Sequence, residues 1–266
     1  MLVTVDVPAS VGLTPVETNV GAVRNSGVDF TVKWEDSLKD FQYGIRLTGT
    51  TIKNEVISLG GKRIASGDIG AGKSVQMTEE GKPIKYFYGY NVIGIFQNEA
   101  QIKEYNERAA AATGNSGQQY QNNVGPGDLI YEDVDGDGYI TANDRKDLGS
   151  PTPKFISGLG ISASWKGFDL SMVWAGAAGF SIYWGATTGY NAASTEWGST
   201  IAQRIAENHY FYNPENPDDP RTNINAKYPR MAYIDGYVQN RHGNTTLWLY
   251  KGDYIKLKNL SLGYTL

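Results

Sequence analysis

The sequence has no cysteine. Disulfide frameworks, thiol catalysis and cysteine-ligated zinc are therefore excluded. There are two histidines, His209 and His242, far apart and without HExxH or triad spacing, so histidine chemistry has no motif behind it. No run approaches the ~20 apolar residues of a spanning helix. The opening MLVTVDVPASVGL has no basic region, and its apolar run is too short for a signal peptide. On that ground the chain is expected to be cytoplasmic, processed or part of a longer protein. Clustered basic residues are also lacking. The net charge is -4 and the isoelectric point about 5.3, which argues against a nucleic-acid partner.

Glycine and aromatics are abundant, with 32 Gly, 18 Tyr and 6 Trp among 266 residues. That length suits one large β domain or two small ones. The mean hydropathy of -0.40 does not exclude a membrane barrel, because only every second strand residue faces lipid. The most informative stretch is FISGLGISASWKGFDLSMVWA (155–175). Leu159, Ile161, Ala163 and Trp165 alternate with small or polar residues. After Lys166 and Gly167, Phe168, Leu170, Met172 and Trp174 do the same. Period-two alternation predicts two strands with one apolar face, and the two-residue link suits a type I′ turn. Trp165 and Phe168 then lie opposite each other. The apolar face could belong to the core of a soluble β-sandwich or to the lipid side of a barrel.

A second hairpin precedes it. Val28, Phe30, Val32 and Trp34 share a face, a polar turn is expected over 35–40, and Phe41, Tyr43, Ile45 and Leu47 follow. Two long excursions, 51–154 and 181–246, leave from the side opposite the short turns. The first favours a short helix over 97–112, where Glu99, Lys103, Glu104 and Ala109–Ala112 are good helix formers. The second contains NPENPDDPRTNINAKYP (213–229), read as coil. Residues 1–27 read as irregular or edge structure. Near the end, Ile255 and Leu257 share a face, and the phase then slips to Leu260, Leu262 and Tyr264, as a β-bulge would cause. Five long amphipathic strands result, too few and of the wrong parity to close a bacterial barrel. The expectation is an all-β chain forming part of a transmembrane antiparallel barrel with long loops. Lipid would meet Val28, Phe30, Val32, Phe41, Tyr43, Ile45, Leu159, Ile161, Phe168, Leu170 and Met172.

The strongest local motif is DVDGDGYITAND (133–144). It offers calcium-loop oxygens from Asp133, Asp135 and Asp137, the Tyr139 carbonyl, Thr141 and Asp144, with glycine at the sharp turn. The other reading is a metal-free loop in which the aspartates bind their own backbone. GDIGAGKS (67–74) matches a P-loop pattern but lacks the strand before it and the helix after it, so a polar turn is expected. The tyrosines at 183, 190, 210, 212, 228, 233, 237 and 250, with Trp184 and Trp197, suit either sugar stacking or ordinary packing. No arrangement of catalytic groups is evident, and no enzyme is expected.

Taken together, NVGAVRNSGVDFTVKW (19–34), EGKPIKYFYGYNVIGIFQNEAQIKEY (80–105), the segment 125–179 from GPGDLIYEDVDGDG to VWAGAAG, NAKYPRM (225–231) and LWLYKGDYIKLKNLSLGYTL (247–266) carry a resemblance. In that order they resemble the SusC/RagA family of TonB-dependent outer-membrane transporters. The resemblance implies a large even-stranded barrel with a plug, multi-pass in the outer membrane, under a SusD-like surface lipoprotein. It implies uptake of oligosaccharides or peptides powered through TonB. Residues 1–266 would be a late portion of such a barrel, without its signal, plug and earlier strands, and 51–154 and 181–246 would be extracellular loops. The alternative is a secreted, soluble, calcium-binding β-sandwich that binds glycans.

Overall fold

Alternating apolar and polar residues generate the largest element, a five-stranded antiparallel sheet. The structure, a computed structural model, describes residues 3–5, 16–18, 21–68, 74–184, 202–231 and 244–266. In chain order its elements are β1 (Val3–Val5), β2 (Val16–Thr18), β3 (Ala22–Ser26), β4 (Asp29–Leu38), β5 (Phe41–Thr51) and β6 (Lys53–Ser58). Next come β7 (Ile64–Asp68), β8 (Ser74–Thr78), β9 (Tyr86–Tyr90), β10 (Val92–Ile95), α1 (Glu99–Thr113), β11 (Leu129–Tyr131) and β12 (Arg145–Gly149). The last are β13 (Phe155–Trp165), β14 (Phe168–Ala178), β15 (Ser181–Tyr183), β16 (Leu249–Lys251) and β17 (Tyr254–Tyr264).

The large sheet, here called the wall, has the order β17-β14-β13-β5-β4. Its strands are 10 residues (β4) or 11 residues long. Eleven residues rise about 35 Å, which a tilt of about 45° reduces to about 25 Å, the apolar height of an outer-membrane barrel. The register carries each face across all five strands. One row is Trp34, Ile45, Ile161, Met172 and Leu260, and its neighbour is Val32, Leu47, Leu159, Trp174 and Leu257. On the other face Glu35, Gly44, Ser162, Ser171 and Ser261 form a row, beside Lys33, Arg46, Gly160, Val173 and Asn259.

The link between β13 and β14 is Lys166 and Gly167, at φ 47 and 85, and Trp165 faces Phe168 as expected. The first hairpin differs from expectation. Its turn is only Lys39 and Asp40, with Lys39 at φ 57. Residues 35–38 continue β4 because their backbone pairs with β5, so Leu38 faces Phe41 and Trp34 lies opposite Ile45. Asp36 thereby falls in the apolar row beside Tyr43, two residues from the turn end. The slip near the end of the chain is a bulge. Val173 pairs with Asn259 and Trp174 with Leu257, which leaves Lys258 as the extra residue.

Of the first 27 residues, those described form short strands. β1 pairs with β2, and β3 pairs with β6 to prolong the β4–β5 hairpin beyond the wall. Gly27 sits at that junction, where a Cβ would lie 1.8 Å from the Thr51 carbonyl oxygen, so no side chain fits.

Both excursions fold at the wall end opposite the short turns. They carry more regular structure than the helix over 97–112 and the coil over 213–229 that their composition predicts. The first holds the sheet β12-β9-β8-β7, the pair β10-β11 and α1. Asn98 caps α1 by accepting from the Gln101 N–H, and Gly114 ends it at φ 69. The second contributes β15, which pairs with β16 just beyond its end, and one helical turn, Gln203–Ala206, while its described segment 213–229 is coil and turns as expected. A shared core of Leu129, Tyr131, Ile205, Tyr228, Leu247 and Trp248 joins the two excursions into one cap. Gly67 and Ser74 of the P-loop-like string lie on β7 and β8, which pair antiparallel with no helix following; 69–73 fall outside the described residues.

Candidate functional site

The wall is a single layer. Among the described residues, none of the three core clusters takes a side chain from its apolar face. Leu159, Ile161, Leu170 and Met172 are half-buried, while Val32, Trp34 and Leu262 are 58%, 61% and 75% exposed. A β-sandwich would lay a second sheet here, and there is none among the described residues. So large an uncovered apolar area has a physical reason only if something apolar meets it. The turn-end row, Leu38, Phe41, Trp165, Phe168 and Tyr264, is mostly aromatic. Phe168 and Tyr264 are in ring contact at 4.6 Å, and the Lys166 ammonium sits 5.4 Å from the Trp165 ring. Amphipathic rings beside a cation suit the boundary between hydrocarbon and water. Near the cap, the Phe30 ring lies across Gly49 and fills the gap that glycine leaves in the sheet. The opposite face carries Lys33, Glu35, Arg46 and Asp169 among small residues, with Lys33 and Glu35 paired at 2.6 Å. Among the described residues no helix is long and apolar enough to cross a membrane.

The cap is pinned by one buried ion pair. Arg230, from the second excursion, donates from Nε and Nη2 to the two carboxylate oxygens of Asp128 at 3.0 and 2.9 Å. Asp128 is fully buried, and its Oδ2 also accepts from the Gly125 N–H at 2.8 Å. Gly127 between them has φ 90, and a Cβ there would lie 2.5 Å from the Tyr210 ring. The Tyr210 hydroxyl donates to the Gln97 carbonyl at 2.8 Å, a second bond between the excursions.

In the acidic loop, one carboxylate oxygen each from Asp133, Asp135 and Asp137 lies within 4.8 Å of the others. The remaining proposed ligands are placed differently. Asp144 is buried and accepts from the Val134 and Thr141 N–H groups, closing the loop on itself. The Thr141 hydroxyl accepts from the Asn143 N–H, and Tyr139 packs into the cluster around α1. Asp133 also accepts from the Gly136 and Gly138 N–H groups. The loop docks on α1 through Gly138, where a Cβ would lie 2.6 Å from Ala112. Three convergent hard oxygens fit one side of a calcium shell, which needs six to eight. Just before the loop, Lys146 and Asn91 both bind Glu132 and hold its pKa below the usual carboxylate value.

A cleft of about 1290 Å³ opens between the excursions, walled by the start of α1 on one side and by 206–231 on the other. It contains the exposed Tyr212 and the half-buried Phe211, over which the Arg221 guanidinium sits at 4.7 Å. Arg221 is held by Asp219 through two side-chain bonds of 3.0 and 2.7 Å. Those bonds, with the Arg221 N–H, lower the Asp219 pKa from 3.8 to about 2. A folded pKa below the unfolded one means the pair's support is complete above pH 3.8 and lost as pH falls toward 2. NMR titration of the Asp219 carboxyl should find the depressed value, and Arg221→Ala should return it to about 4.

Among the described residues, most of the aromatics that suited either sugar stacking or packing take the packing role. Tyr183, Tyr210, Tyr228 and Tyr250 with Trp184 pack against the cap core or against each other, and Tyr212 is the exposed one. Tyr190, Trp197, Tyr233, Tyr237 and His242 lie outside the described residues. His209 is half-buried against the Ala206 carbonyl at 2.8 Å. The Asp128–Arg230 bond had no sequence signal, because its partners lie 102 residues apart.

An uncovered antiparallel wall of membrane-spanning length, aromatic at its turn end and capped at the other, is part of a transmembrane β-barrel. No family model matches the sequence. The chain is similar to TonB-dependent receptor P3 of Formosa agariphila, 28% identical over 264 residues, covering 97% of this chain and 23% of that protein. It is also similar to TonB-dependent receptor P26 of the same organism, 25% identical over 276 residues, covering 100% of this chain and 24% of that protein. Among solved structures it shares its fold with the RagAB peptide importer. In the closed-closed state the TM-score is 0.63 at 19% identity, covering 99% of this chain and 25% of that one. In the open-open state the TM-score is 0.62, with 99% and 24% covered. The chain thus spans about a quarter of the length of the proteins it matches. The resemblance to SusC/RagA-type TonB-dependent transporters holds.

Proposed function

We propose that the chain is part of an outer-membrane transporter that imports oligosaccharides or peptides in a TonB-dependent way with a SusD-like surface lipoprotein. The observation that carries this reading is the wall: five strands share one uncovered apolar face and one small, polar face. Such a face is stable against hydrocarbon and unstable against water. The cap would be extracellular and the two-residue turns periplasmic. The cleft between the excursions would meet cargo. Similarity to receptors and to a peptide importer supports transport over catalysis. The test is to fractionate cells making the full-length protein. It should sediment with outer membranes, need detergent for release and co-purify with a lipoprotein. Recovery as a detergent-free monodisperse monomer would sink the reading.

Within the cap, calcium or a similar hard cation is proposed at Asp133, Asp135 and Asp137, with Tyr139, Thr141 and Asp144 completing the loop. The supporting features are the ligand spacing and the convergence of three carboxylates. The role would be structural, since no nucleophile adjoins the loop. Calcium at ~100-fold over its dissociation constant should stabilise the full-length protein by about 2.7 kcal/mol. A melting temperature unmoved by calcium or by EDTA counts against the site.

A further inference from the structure

Several described cations form ion pairs with a carboxylate, whereas two on the cap rest on aromatic rings instead. Arg204 and Lys227 are both exposed, and among the described residues neither is paired with an acid or donates a side-chain hydrogen bond. Each rests on aromatic rings. The Arg204 guanidinium lies 3.4 Å from the centre of the Trp184 ring and 5.4 Å from that of Tyr250. The Lys227 ammonium lies 4.7 Å from the same Tyr250 ring and 5.6 Å from Tyr228. Sharing one ring keeps the two charges within about 10 Å of each other. The rings are themselves fixed: Trp184 packs on Trp248 at 5.8 Å, Tyr228 stacks on Trp248 at 6.1 Å, and the Tyr228 and Tyr250 hydroxyls share a hydrogen bond of 3.1 Å.

We infer that Arg204, Lys227 and the Tyr228–Tyr250 hydroxyl pair form an anion-binding subsite on the cap, one that takes a carboxylate group of the cargo. The Arg204 guanidinium, 3.4 Å from the centre of the Trp184 ring, has among the described residues no acid on its N–H fork, which a carboxylate can accept in bidentate fashion. The two hydroxyls use one proton between them and leave the other for an incoming acceptor. Burial and the Tyr250 contact push the Tyr228 pKa up to about 12, so Tyr228 adds no negative charge near neutrality. The ring faces are occupied by cations, which makes this a site for charge and not for sugar stacking. The fixed aromatic floor pre-orders both cations, which lowers the entropy lost on binding.

The assignment rests on reading the cap as the cargo-facing end, and its test does not depend on import. Binding is measured calorimetrically on the full-length protein in detergent, using two matched pairs of probes. One pair is trigalacturonate against neutral galactotriose, and the other is tetra-aspartate against tetra-asparagine. The acidic member of at least one pair should bind more tightly than its neutral partner, and the successful pair identifies the carrier. Arg204→Gln and Lys227→Gln should each weaken acidic-probe binding about tenfold, and Arg204→Lys should restore part of it. An unchanged melting temperature shows that the variants fold. Equal binding of acidic and neutral probes, no binding of either acidic probe, or acidic binding insensitive to both substitutions would overturn the subsite. None of these results bears on membrane location, so the transporter reading stands or falls separately.

Discussion

Met172→Lys in the full-length protein should lower the stability of the folded barrel by about 2–4 kcal/mol, whereas Ser171→Lys should change it by less than about 1 kcal/mol. The two positions are neighbours in β14 and differ only in the face they occupy. Met172 lies in the row of Trp34, Ile45, Ile161 and Leu260, near mid-height. A lysine there would have to bring its ammonium into hydrocarbon or reach far along the wall for water. Ser171 lies in the row of Glu35, Gly44, Ser162 and Ser261, where charge is already present. Urea unfolding of the protein in lipid vesicles, followed by tryptophan fluorescence, measures both. Equal costs at the two positions would mean that the faces are not differently solvated, and the membrane assignment would fail.

The second large effect is expected at Arg230. Arg230→Met removes both side-chain donors from Asp128, which is fully buried and would keep only its Gly125 N–H. An unpaired buried carboxylate costs about 3 kcal/mol or takes up a proton. Because the pair joins the two excursions, the loss should appear as faster proteolysis of the cap with the wall still folded. The double variant Arg230→Met with Asp128→Asn should recover much of the loss, since no buried charge is then stranded. Equal proteolysis of the single variant, the double variant and the parent protein would show that the pair does not pin the cap.

The wall was legible because a half-solvated strand writes its face into every second residue. Ile161 and Met172 could be placed on one face, and Trp165 opposite Phe168, from spacing alone. The bulge left the same kind of trace, since Leu257 and Leu260 cannot share a face without an extra residue. The helix showed in its composition, and its ends lie within two residues of expectation. The first turn was misjudged because Glu35, Asp36 and Ser37 are polar on both faces, which looks like loop until backbone pairing is seen. The cap was less legible for a different reason. Its strands are three to six residues long, too short for periodicity to accumulate, and their partners come from distant segments. Asp128 with Arg230, and Arg204 with Trp184 and Tyr250, meet only after both excursions have folded.

Lys258 makes β17 two half-strands written in different frames. Deleting it would straighten the strand and turn neither half over, because Leu257 and Asn259 already pair with the adjacent residues Trp174 and Val173. Drawing it into the ladder would do the opposite: with the 259–264 half in place, Ile255 and Leu257 would swing toward the interior, while Lys256 would be thrust outward among acyl chains. The single greasy side of this strand therefore depends on one inconspicuous residue standing out of line.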